Sequence, residues 1–329
     1  MNSWGRIFRI SLWGESHGPA VGVLLDGCPA GLPLTADAFA ADLSRRKSGL
    51  SGTSARQEGD RPLIKSGMFN DQTTGAPILI EFPNADVDSA PYEKIKDTPR
   101  PGHADWTAHE KFHGHNDYRG GGHFSGRLTV GLVAAGVIAK KIIQPARVQA
   151  QILEIGGQGE YQAALERAAA GGDSLGGIVE CRVAQVPVGL GEPFFDAAES
   201  LIAHIVWAIP GIMGLEFGAG FASARMAGSE FNDELVEAAG KTATNHTGGC
   251  NGGITNGNEL VFRVAIKPTA SIARPQKTIN LRTGAPEQIR IEGRHDACIA
   301  LRMPVVLEAA TAIVLADLLL LRRAMNHEQ

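Results

Sequence analysis

Four separated stretches of the chain combine histidine, arginine and glycine: residues 14–18 (GESHG), 100–105 (RPGHAD), 117–127 (DYRGGGHFSGR) and 293–302 (GRHDACIALR). Each sets an ionisable group beside residues that free the backbone for turning. His17 and His103 both neighbour glycine in polar loops, where an imidazole titrating near neutrality can exchange protons with a ligand. Together with Asp296 they form a candidate acid/base set, provided that the fold gathers them. Gly120, Gly121 and Gly122, ahead of a helix expected to start near Ser125, can offer exposed amides and a positive helix end to a phosphate, with Arg119 and Arg127 as bidentate donors. The same glycines would equally serve a sharp strand-to-helix turn. A different chemistry is suggested by His109-Glu110-Lys111-Phe112-His113, which satisfies the H-E-x-x-H pattern of a zinc hydrolase. Gly114 follows at once and no extended helix surrounds the pair, so residues 104–112 read instead as a short surface helix with His109 and Glu110 solvated. His115 and His327 read as surface residues, and His204, within an apolar helix, as a packing residue.

These loops need a scaffold, and the composition allows one. The 329 residues carry 31 Lys+Arg against 35 Asp+Glu, a net charge of −4, so no strong field draws the chain to nucleic acid or anionic lipid. A 43% hydrophobic and 20% charged composition can bury a sizeable core, which excludes disorder as the main state. The 41 glycines exceed the usual share and imply tight turns or close approach of backbone to a ligand. Cys28, Cys181, Cys250 and Cys298 lie far apart without C-x-x-C spacing, which suits a reducing cytosol and names no metal site. The start MNSWGRIFRIS lacks an apolar signal region, and the longest apolar stretches are short or carry Asp317, so a soluble cytoplasmic protein is expected.

Phe8, Ile10 and Leu12 alternate with Arg9 and Ser11, predicting a strand that ends at the 14–18 turn, with a second strand over 21–25. Thr35 can cap a helix that ends at Arg45-Arg46-Lys47, where basic residues also suit the helix dipole. A polar, glycine-bearing loop over 49–61 has a length that is either mobile or functional. Strands are expected over 78–82, 178–186 and 260–266, and helices over 128–143, 197–209 and 304–323, with Pro304 in a first turn. Pro29-Ala30-Gly31-Leu32 and Pro187-Val188-Gly189-Leu190 each follow a β-like run and precede a helix, which points to a weak internal duplication. With neither a GxGxxG opening a βαβ unit nor a P-loop, the expectation is an α/β sandwich that is not a Rossmann fold, in a single domain over 1–329.

The whole chain resembles the chorismate synthase family in GESHG (14–18), RPGHAD (100–105), DYRGGG (117–122), GLGEPFFD (189–196), NHTGGCNGGI (245–254), KPTAS (267–271) and GRHD (293–296), in family order from end to end. The family has no metal at the HEKFH segment. The resemblance implies a β-α-β sandwich and a carbon–oxygen lyase of the shikimate pathway. That enzyme removes phosphate and a ring hydrogen from 5-enolpyruvylshikimate 3-phosphate by trans-1,4-elimination, giving chorismate for aromatic amino acids. It also implies reduced FMN, because the departing hydrogen has no adjacent carbonyl to stabilise a carbanion and a side-chain base alone is too weak. By resemblance, His17 assists the leaving phosphate, His103 protonates the reduced flavin, and Asp296 manages the proton at its N5, with Ser16 and Ser125 as relay hydroxyls. The implied FMN contacts are His123, Phe124, Ser125, Pro210, Gly211, Gly252, Lys267, Pro268, Thr269, Ala270, Ser271 and Arg294. Arg46 matches a position linked to substrate phosphate or NADPH, and Arg45, Arg119 and Arg127 are candidates for the substrate's anionic groups. A homotetramer is implied, with NADPH as a candidate reductant. His123-Phe124, Leu128, Pro210-Gly211 and Gly52 depart from the family pattern and bear on flavin and NADPH handling. The competing readings are a zinc hydrolase on His109, Glu110 and His113, and a catalytically silent flavin-binding relative; neither these nor the lyase reading requires nucleic acid or membrane.

Overall fold

In the computed structural model, which describes residues 2–47, 52–53, 56, 58–291 and 296–325, the alternation around Phe8 becomes part of a five-stranded antiparallel sheet. Its strands are β1 (Ser3–Trp4), β2 (Arg9–Gly14), β3 (Ala20–Asp26), β4 (Leu63–Ile64) and β5 (Ile78–Pro83), in the order β1-β2-β3-β5-β4. Register explains the packing. Val21, Val23 and Leu25 stand opposite Phe82, Ile80 and Ile78, so six fully buried side chains share one face of the sheet. A second antiparallel sheet comprises β6 (Arg147–Ile155), β7 (Gly177–Ala184), β8 (Ile212–Phe217) and β9 (Leu260–Ile266), in the order β8-β9-β7-β6.

Helices fill the space between the sheets: α1 (Ala40–Arg46), α3 (Thr129–Ile142), α4 (Ala198–Trp207) and α5 (Met303–Met325), while α2 (Asp105–Lys111) lies outside this layer. Helix α3 packs on the first sheet, α5 on the second, and the two cross closely enough that a Cβ at Gly136 would lie 2.3 Å from the Ala309 side chain. A larger residue there would push the central helices apart. One hydrophobic cluster runs through both halves. Although α5 is apolar and long enough to cross a membrane, most of it is buried inside this layer. Its Asp317 is buried as an anchor for the N-terminal segment, accepting the amides of Arg6, Ile7 and Phe8 at 3.1, 2.7 and 2.8 Å.

Apart from intervening loops and minor elements, β2-β3-α1-β4-β5-α3 and β6-β7-α4-β8-β9-α5 repeat one ββαββα order, and both sheets place their strands as first, second, fourth, third. The echo between residues 29–32 and 187–190 falls at equivalent points of this repeat. Three local expectations change. Thr35 makes no side-chain cap; a 3₁₀ turn, Ala36–Phe39, precedes α1. The central helix begins at Thr129, after a 3₁₀ turn capped by Ser125. Residues beyond Pro145, with no strand expected there, supply the edge strand β6, whose alternation of buried and exposed positions is that of a half-buried strand.

Candidate active site

The turn between β2 and β3 carries Ser16 and His17, and it is stitched to the triple-glycine segment by the Ser16 amide donating to the Gly122 carbonyl at 3.0 Å. All three glycines have positive φ. A Cβ at Gly120 would lie 2.4 Å from His17 Cδ2 and Nε2, and one at Gly121 would lie 3.3 Å from His103 Cε1 and Nε2. Two imidazoles from distant loops therefore rest on consecutive glycines; at Gly120 the approach is one that only a residue without a side chain permits, and at Gly121 it is a tight contact. Because Gly121 and Gly122 are themselves buried, the run serves first as a seat for these rings.

Each ring has a defined partner. His17 Nδ1 meets Ser89 Oγ at 2.8 Å, and the ring stands edge-on to Tyr92 with centroids 5.2 Å apart. Burial pushes its pKa down, and the nearby Arg56 charge adds to this, so the imidazole is neutral at pH 7. His103 Nδ1 lies 2.6 Å from Asp105 Oδ1 and 3.0 Å from Arg100 Nη2. The contacts compete, since Nδ1 cannot both donate and accept. Although burial opposes ionisation of Asp105, its bonds to Arg100 and His103 hold it far below the usual carboxylate range; it is an acceptor only, so Nδ1 donates to it. Arg100 grips the same carboxylate through Nε at 2.7 Å and Nη2 at 2.8 Å, and donates to Ser271 Oγ at 3.0 Å. His103 thus carries its proton on Nδ1, and its Nε2 lies 3.3 Å from the same Arg100 Nη2.

His17, Tyr92, Arg100, His103 and Ser271 line a cavity of about 1080 Å³. Of the residues singled out from the sequence, it brings together Ser16, His17, Arg46, His103, His123, Phe124, Ser125, Arg127, Pro210, Gly211, the stretch Lys267, Pro268, Thr269, Ala270 and Ser271, and Asp296. Asp296 is buried and paired with Arg302; Arg46 and Arg127 are buried on either side of Asp60. His123 Nδ1 lies 2.8 Å from the Gly14 carbonyl, which makes Nδ1 its protonated nitrogen. Trp4, Leu12, Leu132, Ile209, Ile299 and Met303 add an apolar wall. Among the described lining residues, seven Lys/Arg face five Asp/Glu, a local excess of positive charge in a chain of net charge −4. Among the described residues, two buried donors on the lining lack any hydrogen-bond partner, Arg46 Nε and Thr269 Oγ1, and a polar ligand would satisfy both.

Other expected residues are placed elsewhere. Arg45, next to Arg46, turns away and forms a two-bonded ion pair with the buried Glu308, which Lys140 and the Ala150 amide also reach. Arg119 is half exposed and clasped by Asp117. Gly252 is in the short hairpin formed by Cys250–Asn251 and Ile254–Thr255, off the cavity lining. Arg294 lies outside the described residues. His204 is exposed at the cavity instead of packed inside. The HEKFH segment begins on α2, but that helix stops at Lys111 and His113 has φ +52, so the two imidazoles do not share one helical face. Among the described residues no three His, Cys, Asp or Glu gather as a metal site.

Several lining residues were missed from the sequence. Arg100 and Arg302 stand inside motifs already quoted and were passed over in favour of their neighbours; so was Asp105, which is off the lining but holds His103 in place. Arg56 and Asp60 belong to the 49–61 loop, whose length alone marked it. Tyr92 and Trp4 carry no sequence signal.

A sequence model described as chorismate synthase matches residues 8–320. The chain is similar to the chorismate synthase of Chitinophaga pinensis, with 60% identity covering 99% of this chain and 98% of the relative. It is 46% identical to that of Korarchaeum cryptofilum over 95% of this chain and 96% of the relative. It also resembles a solved structure titled "Crystal Structure of Chorismate Synthase", with a TM-score of 0.74, 26% identity, and coverage of 97% of this chain and 93% of that one. Matches of this extent, joined to the motifs around one cavity, make the chain a member of the chorismate synthase family.

Proposed function

We propose that the cavity binds 5-enolpyruvylshikimate 3-phosphate against reduced FMN and that its side chains handle the protons of the trans-1,4-elimination giving chorismate. The observation that carries this reading is the convergence of His17, His103 and Asp296, from three remote segments, on one cavity with an excess of cations. A substrate with a phosphate and two carboxylates suits that excess.

The lining fits a flavin. Leu132, Ile209, Ile299 and Met303 offer apolar contact to a ring system, and Thr269 Oγ1, buried without a partner, offers a donor to its polar edge. The residues proposed to hold it are His123, Phe124, Ser125, Pro210, Gly211, Lys267, Pro268, Thr269, Ala270 and Ser271. When bound, reduced FMN supplies an electron-rich ring that lends charge to the breaking C–O bond and takes up the ring hydrogen, chemistry no side chain provides.

His17, neutral in the free protein, would gain a proton as a phosphate dianion comes alongside, since a neighbouring anion favours the imidazolium. Substrate binding itself would thus prepare His17 to protonate the departing phosphate. His103, with Nδ1–H committed to Asp105, handles a proton through Nε2. Arg56 donates to Ser16 Oγ at 2.9 Å, and the Arg127 amide to Ser125 Oγ at 3.3 Å, so both hydroxyl protons remain free for relay. Asp296, held by Arg302, is proposed to take part at the ring hydrogen.

The proposed working form is a cytoplasmic homotetramer, checked by light scattering. The decisive assay is anaerobic conversion of the enolpyruvyl substrate, once with chemically reduced FMN and once with NADPH and oxidised FMN. Chorismate and phosphate are expected in the first; the second decides whether the protein reduces its own flavin. Substitution of His17 or His103 by Ala should lower the rate by about 10- to 10⁴-fold. Undiminished rates in both variants would discard the proton roles.

A further inference from the structure

Asp60 has no role in the chemistry described so far, yet among the described residues it is the centre of the most buried charge cluster on the cavity. Its side chain is 0% exposed, and the Arg46 and Arg127 side chains that flank it are 6% and 4% exposed. Oδ2 accepts from Arg46 Nη2 at 2.5 Å and Oδ1 from Arg127 Nη1. Residue 60 reaches both from a left-handed backbone, φ +47, unusual for a residue with a side chain. Such a triad is a poor source of stability, because desolvating three charges consumes most of what their attraction returns, and an apolar replacement would serve a purely structural need as well. What it does provide is geometry: one carboxylate sets the spacing of two guanidiniums and leaves a net charge of +1.

The rest of the network extends this. Arg127 Nε donates to Asn84 Oδ1 at 3.0 Å, and Asn84 Nδ2 donates to the carbonyls of Glu15 and Gly18 at 3.0 and 2.8 Å, on either side of His17. Both arginines line the cavity, and Arg46 keeps a buried Nε without a partner. We propose that Asp60 is a positioning residue: it locks Arg46 and Arg127 into a clamp for a phosphate ester and ties that clamp to the turn bearing His17. The inference rests on the functional reading above. Two phosphate esters fit it, that of the substrate and the 5′-phosphate of FMN.

The test is Asp60→Asn, which keeps the shape and removes the charge. Freed of their shared anion, the guanidiniums separate, while the local charge rises. Anion binding should therefore persist, with the substrate Kd within about 10-fold, whereas kcat per folded site falls by on the order of 100-fold through misplacement. A purely structural Asp60 would lower the melting temperature and leave kcat per folded site unchanged; that result, or a folded variant turning over at the wild-type rate, overturns the proposal. If Asp60→Asn does not fold, Arg127→Lys retains the charge but cannot span Asp60 and Asn84 together, and the same split between kcat and Kd is expected; an unchanged kcat overturns the idea again. Titrations of Arg127→Ala with FMN and riboflavin separate the two esters: loss of the preference for FMN over riboflavin assigns the clamp to the flavin phosphate, and its retention assigns it to the substrate. Wild-type protein in the same assay is the control. Absence of chorismate from it would refute the functional reading, while the binding titrations would still judge the clamp.

Discussion

Substitution of Gly120 by Ala is the sharpest probe of how the histidines are held. The added Cβ would stand 2.4 Å from His17 Cδ2 and Nε2 and 3.0 Å from Ser16 Oγ. Carbon atoms in contact prefer about 3.5 to 4.0 Å, so the ring must retreat by more than about 1 Å. That retreat breaks the Ser89 contact at 2.8 Å or the edge-on stack on Tyr92. A displacement of that size near reacting atoms costs on the order of 100-fold in rate. Backbone strain adds a separate effect, because φ is +58 and an L-residue in the left-handed region loses about 1 to 2 kcal/mol of stability. The assay is the anaerobic single-turnover rate with reduced FMN, together with the unfolding midpoint in urea. Gly228→Ala is the control, since that glycine is exposed, its φ is ordinary, and a Cβ there meets nothing within 4 Å. Should Gly120→Ala turn over like wild type while showing only the modest loss of stability, the glycine would be required by the backbone alone, and the account of the imidazole seat would be refuted.

Other outcomes follow from the same geometry. Arg45→Ala should leave turnover and substrate affinity near wild type while lowering stability by about 1 kcal/mol, discounted because the arginine is half exposed and Lys140 still faces Glu308; urea melts and kinetics check both halves. Asp60, Asp105 and Glu308 all have pKa values lowered in the fold, with burial opposing and their cationic partners prevailing, so the stability they contribute is fully present above their unfolded values near 4 and is lost as the pH falls below that range. Unfolding free energy measured from pH 7 to pH 3 should hold until about pH 5 and then decline, and Asp105→Asn should flatten the decline. All four cysteines are buried, and burial pushes the Cys28 thiol up to about 11 and the Cys181 thiol up to about 12. Iodoacetamide at pH 8 should therefore label almost no thiol in the native protein and all four after denaturation, as counted by mass spectrometry.

The sequence by itself determined the local elements and the chemistry they carry. Alternation over Phe8, Ile10 and Leu12, the apolar run of α5 and the turn at 14–18 arise from the periods of strand and helix, which depend on neighbours a few residues away. The motifs likewise named His17, His103 and Asp296, since a His beside glycine is visible without a fold. Tertiary structure alone decided which charges reach the cavity. Arg45 and Arg46 are consecutive on α1 and diverge by about 100° around its axis, so only one can face the site. The choice is made by Glu308, 263 residues away from Arg45, and by Asp60, held in a left-handed conformation in a loop with no periodic signal. Asp317 tells the same story: an acidic residue in an apolar helix interrupts the pattern until the amides of residues 6–8 arrive from the other end of the chain. A side chain's direction and charge state follow from its partners in space, and a linear string does not say who those partners are.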